Sequence, residues 1–163
     1  MPRERIVSAR KFSYSGLIDF KTFYKSIKNF WDSKGFSSLE KEHKEKVNED
    51  GSKDIELSWS CEKEVTDYAK YIFEFSLGAK GLKLVKVDER EMDYVNELNI
   101  IINGDLELDY GKFFGDKPFN IFLRALYEKY IVGEEIKEHK KKIISIAEEF
   151  LDMIKTLTAS YKY

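Results

Sequence analysis

Along this chain the spacing of apolar positions switches between the strand period of about 2 and the helix period of about 3.6, and each switch marks an element boundary. In RIVSARKFSYSG, Ile6, Ser8, Arg10, Phe12 and Tyr14 share one parity, and Val7, Ala9, Lys11 and Ser13 the other. That alternation predicts a first strand ended by Gly16. The next stretch carries Phe20, Phe23, Tyr24, Ile27, Phe30 and Trp31 at helical spacing. Asp19 or Ser15 is placed to cap its start, and Gly35 suits the left-handed position after its end.

Period 2 then returns. FSSLEKEHKEKV leads to a turn at NEDGSK, and beyond it Ile55, Leu57, Trp59 and Cys61 face one way and Asp54, Glu56, Ser58 and Ser60 the other. Pairing Val47 with Ile55 sets His43 opposite Trp59 and Lys41 opposite Cys61, and this register keeps Lys46 off the apolar face. Ala69, Tyr71, Phe73, Phe75 and Leu77 make the next inward face. Gly78 and Gly81 bracket a turn or bulge, LKLVKV reads as a further strand, and DERE as a turn. In ELNIIINGDLELDY, Leu98, Ile100, Ile102, Leu106, Leu108 and Tyr110 keep one parity through Asn103-Gly104. The Asn-Gly pair is a hairpin signal. A two-residue hairpin, however, opposes Ile102 with Asp105, so one long strand bent at Gly104 is the expected arrangement and the hairpin its alternative.

The last third returns to helical spacing. Asp116 is a candidate cap and Pro118 suits a first turn. Phe119, Phe122, Leu123, Leu126, Tyr127 and Tyr130 then form a stripe that Gly133 interrupts. A longer helix over 134–158 carries Ile136, Ile143, Ala147, Phe150, Leu151, Ile154 and Leu157 on one side. Beyond it, Tyr161 and Tyr163 are suited to docking on the body or on a partner. The predicted class is α+β. A curved antiparallel sheet of about six strands packs on one N-terminal and two C-terminal helices, in the order β-α-β-β-β-β-β-α-α, as one domain over 1–163. This element order resembles the helix-grip arrangement of lipid-transfer and pollen-allergen proteins; no sequence motif accompanies the likeness, so it implies a fold and no function.

Composition narrows the function classes. Net charge is −2 and no nucleic-acid motif is present, which disfavours nucleic acid as a partner. The run KEHKKK, residues 137–142, reads as a solvated helix face among glutamates. No stretch approaches the ~18 apolar residues of a membrane span, and the N-terminus lacks a signal-peptide core, so the expected location is the cytoplasm.

Candidate chemistry is sparse. His43 and Cys61 are the only conventional base and nucleophile, and the preferred register does not pair them. Asp88, Glu89, Glu91 and Asp93 lack the spacing of a calcium loop and read as a solvated turn. Glu107 and Asp109 lie with Asn103 on the wet face. No catalytic residue, metal site or cofactor is assigned, and enzymatic activity is not expected.

Aromatic residues make up 15% of the chain. They have three readings: a bulky core, an interface, or the wall of an apolar cavity. The leading expectation is a non-catalytic binding or assembly module acting through an aromatic-rich surface or groove, with a protein or a second copy as partner. The alternative is a helix-grip carrier of a small hydrophobic ligand, or an enzyme using that cavity, with Trp59, Tyr71, Phe73, Ile100 and Phe150 lining the space between sheet and final helix.

Overall fold

The computed structural model describes residues 3–111, 114–115 and 117–161. The expected α+β class is present as one five-stranded antiparallel sheet with one N-terminal and two C-terminal helices. The elements are β1 (Arg3–Ile18), α1 (Phe20–Ser33), β2 (Ser37–Val47), β3 (Lys53–Glu64), β4 (Ala69–Val87), β5 (Arg90–Leu108), α2 (Pro118–Tyr130) and α3 (Gly133–Tyr161). Strand order across the sheet is β1-β5-β4-β3-β2, so the first strand pairs with the last. Among the described residues no helix is long and apolar enough to cross a membrane.

The strand count is five rather than about six because LKLVKV continues β4. Ile55 pairs with Ala79 but Lys53 pairs with Leu82, so β4 carries one extra residue near Gly81. This is a bulge, which bends a strand without ending it. Ala79 and Leu82 consequently both face inward. The turn at DERE is a two-residue hairpin with Asp88 at φ 49° and Glu89 at φ 70°, the left-handed pair that the tightest antiparallel connection requires.

β5 runs unbroken through Gly104, as the long-strand expectation required. At Gly104 a β-carbon would lie 2.9 Å from Phe73 Cε1 and 3.0 Å from Ile143 Cγ2. Only glycine lets α3 come this close to the sheet.

The β2–β3 register differs from the expected one. Val47 pairs with Lys53 and His43 with Leu57, and beyond a bulge between Glu42 and Glu40, Glu40 faces Trp59 and Ser38 faces Cys61. β2 is an edge strand exposed along almost its whole length, so no buried face pins its alignment. The turn pins it instead. Asn48 N–H donates to the Ser52 carbonyl at 2.7 Å, and the Asp50 carboxylate accepts from both the amide and the hydroxyl of Ser52.

The α1 ends match their signals. Asp19 Oδ1 accepts from the Thr22 amide at 3.2 Å, and Gly35 follows the helix at φ +83°. Asp93 adds a second acceptor at this end, taking the Phe20 amide at 3.1 Å, which favours the positive end of the helix dipole. Pro118 opens α2, with Lys117 at the cap position; the expected cap Asp116 lies outside the described residues, as does Tyr163. Tyr161 ends α3 and packs partly buried against the core.

The core lies between the sheet's inner face and helices α1 and α3. Phe23, Ile27 and Trp31 of α1 and Ile143, Ala147, Phe150, Leu151 and Ile154 of α3 are buried there. At its centre the Trp31 ring lies 5.0 Å from Phe73, 5.2 Å from Phe150 and 5.2 Å from Phe36, centroid to centroid. Offset and edge contacts of this kind add to the area such rings bury. On the opposite sheet face Asp105 is buried under Arg3 and Arg5, which donate to its carboxylate at 2.8 and 2.9 Å.

Candidate functional site

Among the described residues, surfaces open to a partner or ligand include a group of recesses where α3 meets the ends of β3 and β4, and the outer face of α2.

The recesses are organised by a pair of side chains from opposite layers. Tyr71 points inward from β4, as its parity predicts, and His139 sits on the inward stripe of α3 between Ile136 and Ile143. Tyr71 Oη lies 2.6 Å from His139 Nδ1. Burial pushes the His139 pKa down, so the neutral ring is favoured and its Nδ1 can accept a hydrogen bond from the phenol. Burial also pushes the Tyr71 phenol up to about 12, which keeps it a donor. His139 lines one recess of about 250 Å³ with Tyr68, Leu108, Tyr127 and Ile136. It also lines a second, of about 360 Å³, with Tyr71 and Lys142, and a third of about 390 Å³ continues past Tyr71 to Phe36 and Lys63. The second and third fall at the small end of the ~300–1,000 Å³ typical of ligand pockets, and the first lies below it.

Of the residues expected to line a cavity, Tyr71 alone borders these recesses. Trp59, Phe73, Ile100 and Phe150 lie in the core, each at most 5% exposed. Phe73 and Phe150 are in ring contact through Trp31, and Trp59 meets Tyr24 edge-on and Phe75 at a tilt. The indole N–H groups of Trp31 and Trp59 are buried with no oxygen or nitrogen acceptor; both are surrounded by aromatic rings.

α2 is built inside out. Its intermediate positions are Asn120, Arg124, Tyr127 and Glu128, while Phe119 is 68% exposed, Phe122 58% and Tyr130 71%. None of its residues is buried. What sets this orientation is the loop before β4. Tyr68 Oη donates to Glu128 Oε1 at 2.6 Å, and the Tyr68 ring meets the Tyr127 ring at 5.4 Å. Arg124 reaches the same carboxylate at 3.9 Å. The polar side of the helix is thereby fastened to the body, and the apolar stripe turns outward, with Tyr127 the one stripe member facing in.

The other candidates lie outside these recesses. His43 is half exposed, with its ring nitrogens 3.2 Å from Glu40 and 3.5 Å from Glu45. Cys61 is buried 3.5 Å from Ser38 Oγ, and burial pushes its thiol up to about 11, away from the reactive thiolate. Asn103 Oδ1 accepts from the Ala9 amide at 2.7 Å, at the bulge where β1 crosses Gly104. Glu107 lies in the ladder opposite Lys70, and Asp109 is buried at the end of β5. Asp88 and Glu89 form the hairpin turn, and Lys140 pairs with Glu4. Among the described residues no group of three or more His, Cys, Asp or Glu side chains is placed to hold a metal ion.

His139 lies inside the basic run KEHKKK, whose lysines and glutamate hide it among solvated positions. Its signal was its spacing, three residues after Ile136 and four before Ile143. Compared with models of known families the chain matches none, and no curated protein matches it in sequence.

Proposed function

We propose that this chain is a non-catalytic binding or assembly module that works through the aromatic-rich outer face of α2. The observation that carries this reading is the reversed polarity of that helix: Phe119, Phe122, Leu126 and Tyr130 face water while Arg124 and Glu128 face the body. Contiguous apolar surface of this kind marks interaction sites on soluble proteins, and aromatic side chains are enriched where partners meet. Sedimentation velocity over a wide concentration range, with a pull-down alongside, tests it. Concentration-dependent association, or a retained partner, that Phe122→Asp abolishes is the expected result. A clean monomer at high concentration with nothing retained removes the reading.

A second reading is a helix-grip carrier of a small hydrophobic ligand. It is favoured by the first strand closing against the last beneath a long C-terminal helix, in the manner of a curved sheet holding that helix, and by the three recesses around Tyr71 and His139. In this reading the ligand enters at the recesses rather than at the ring cluster around Trp31, and Tyr71 is the retained member of the expected lining.

A further inference from the structure

Lysines gather at these recesses although the chain as a whole is acidic. Lys34 from the end of α1, Lys63 from β3 and Lys142 from α3 line the recess of about 390 Å³, and Lys141 and Lys142 line the adjoining one of about 360 Å³. The two share Val65, Tyr71, Lys142 and Ser145. Carboxylates answer only part of this charge. Glu149 pairs with Lys34 at 2.5 Å, and Glu138 lies 3.9 Å from Lys141. Lys63 Nζ donates to the Lys34 carbonyl at 2.8 Å, a neutral acceptor, and its ammonium sits 5.8 Å from the centre of the Phe36 ring. Among the described residues neither Lys63 nor Lys142 forms an ion pair with a carboxylate. Two ammonium groups on one recess repel each other, and an anion between them relieves that repulsion where water is partly displaced. The rest of the wall is different in kind: Phe36, Val65 and Ile146 give it an apolar side.

We propose that this groove binds an anionic amphiphile, with a carboxylate or phosphate head at Lys63 and Lys142 and an apolar body against Phe36, Val65 and Ile146. The proposal rests on the carrier reading above and adds the charge of the ligand to it. Head and body both contribute, because either wall alone leaves the other unsatisfied: a bare anion loses the apolar contact, and an uncharged chain leaves the ammonium groups unpaired.

Isothermal titration of the full chain with octanoate, octyl phosphate, octanol and inorganic phosphate tests this. Octanoate and octyl phosphate bind, and octanol and inorganic phosphate bind at least about tenfold more weakly, the factor that one charge-assisted contact commands. Lys142→Glu weakens both anionic probes by about tenfold or more, Lys142→Gln by less, and added salt weakens them in the unaltered protein. The exposed position of Lys142 leaves the thermal melt of both variants where it was. Octanoate against octyl phosphate distinguishes a carboxylate from a phosphate source. Octanol binding as tightly as octanoate overturns the anionic head and leaves the carrier reading standing. Inorganic phosphate matching octyl phosphate overturns the apolar body. Anionic binding untouched by Lys142→Glu overturns the site. Failure of every probe to bind overturns both the proposal and the carrier reading.

Discussion

Trp31 and Phe122 belong to the same chemical class and sit on helices of nearly equal length, yet one is fully buried and the other is 58% exposed. Both stripes were legible as helical patterns. What separates them is the surface each stripe meets. α1 leaves β1 directly and turns across the inner face of the sheet, where Phe36, Phe73 and Phe75 complete its stripe. α2 is fastened at its polar side by the Tyr68–Glu128 hydrogen bond, and its apolar stripe, Tyr127 excepted, is left exposed. Helical periodicity specifies that a face exists; the contacts the helix makes with the body specify where that face points.

The contrast can be broken most sharply at the centre. Trp31→Ala removes a ring that touches five others and leaves a cavity among aromatic side chains, for which about 3–5 kcal/mol is expected. A urea titration with an unchanged slope and a large fall in midpoint is the predicted result. A loss near zero there means that the two stripes do not differ in the way described.

Next in size is the buried acid on the other sheet face. Burial pushes the Asp105 carboxyl up, but hydrogen bonds and charge from Arg5 and Arg3 more than offset this and hold it below its usual 3.8. The arginines are 48% and 37% exposed, so solvent screens the pair and Asp105→Asn is expected to cost about 1–3 kcal/mol rather than more. The folded value lies below the unfolded one. The stabilisation is therefore complete above the unfolded pKa, and it is lost as pH falls from about 4 through the folded value. Denaturant midpoints at pH 6 and pH 3 should differ less in the Asp105→Asn variant than in the unaltered chain.

A smaller effect belongs to His139. Its pKa is pushed below 6.5 by burial, so below 6.5 the unfolded chain takes up the proton first. Stability falls as pH drops from about 6.5 to the folded value and is flat above that window. His139→Gln flattens this segment of the stability–pH curve, and a proton resonance of His139 that titrates at or above 6.5 contradicts the burial argument.

The smallest expected change is at α2. Phe119→Ser and Phe122→Ser should alter stability by no more than about 0.5 kcal/mol, as exposed substitutions do. Loss of stability on the scale of Trp31→Ala at either position would mean that the stripe is packed after all. The comparison is sharpened if these two substitutions instead change association while leaving the denaturation curve in place.

The strand faces were legible because their alternation is enforced by burial: Ile55, Leu57 and Trp59 all turn inward as read. Where burial is missing, the pattern loses its hold. β2 has no buried residue, and its register came out two places away from the expected one, with Glu45 rather than Val47 across from Ile55. LKLVKV was separated from β4 because glycines signal breaks, whereas the extra residue near Gly81 keeps the strand running. The Tyr71–His139 contact joins residues 68 positions apart, and no local pattern announces such a meeting.

Pairing the first strand with the last also has a consequence for assembly in time. Arg3 meets a partner 102 positions away, whereas β2 through β5 each find a neighbour across a short connection. Closing so long a loop is entropically unfavourable until the rest of the sheet is in place. β1 therefore precedes its partner in synthesis, and until β5 has been made this sixteen-residue strand lacks the edge it pairs with.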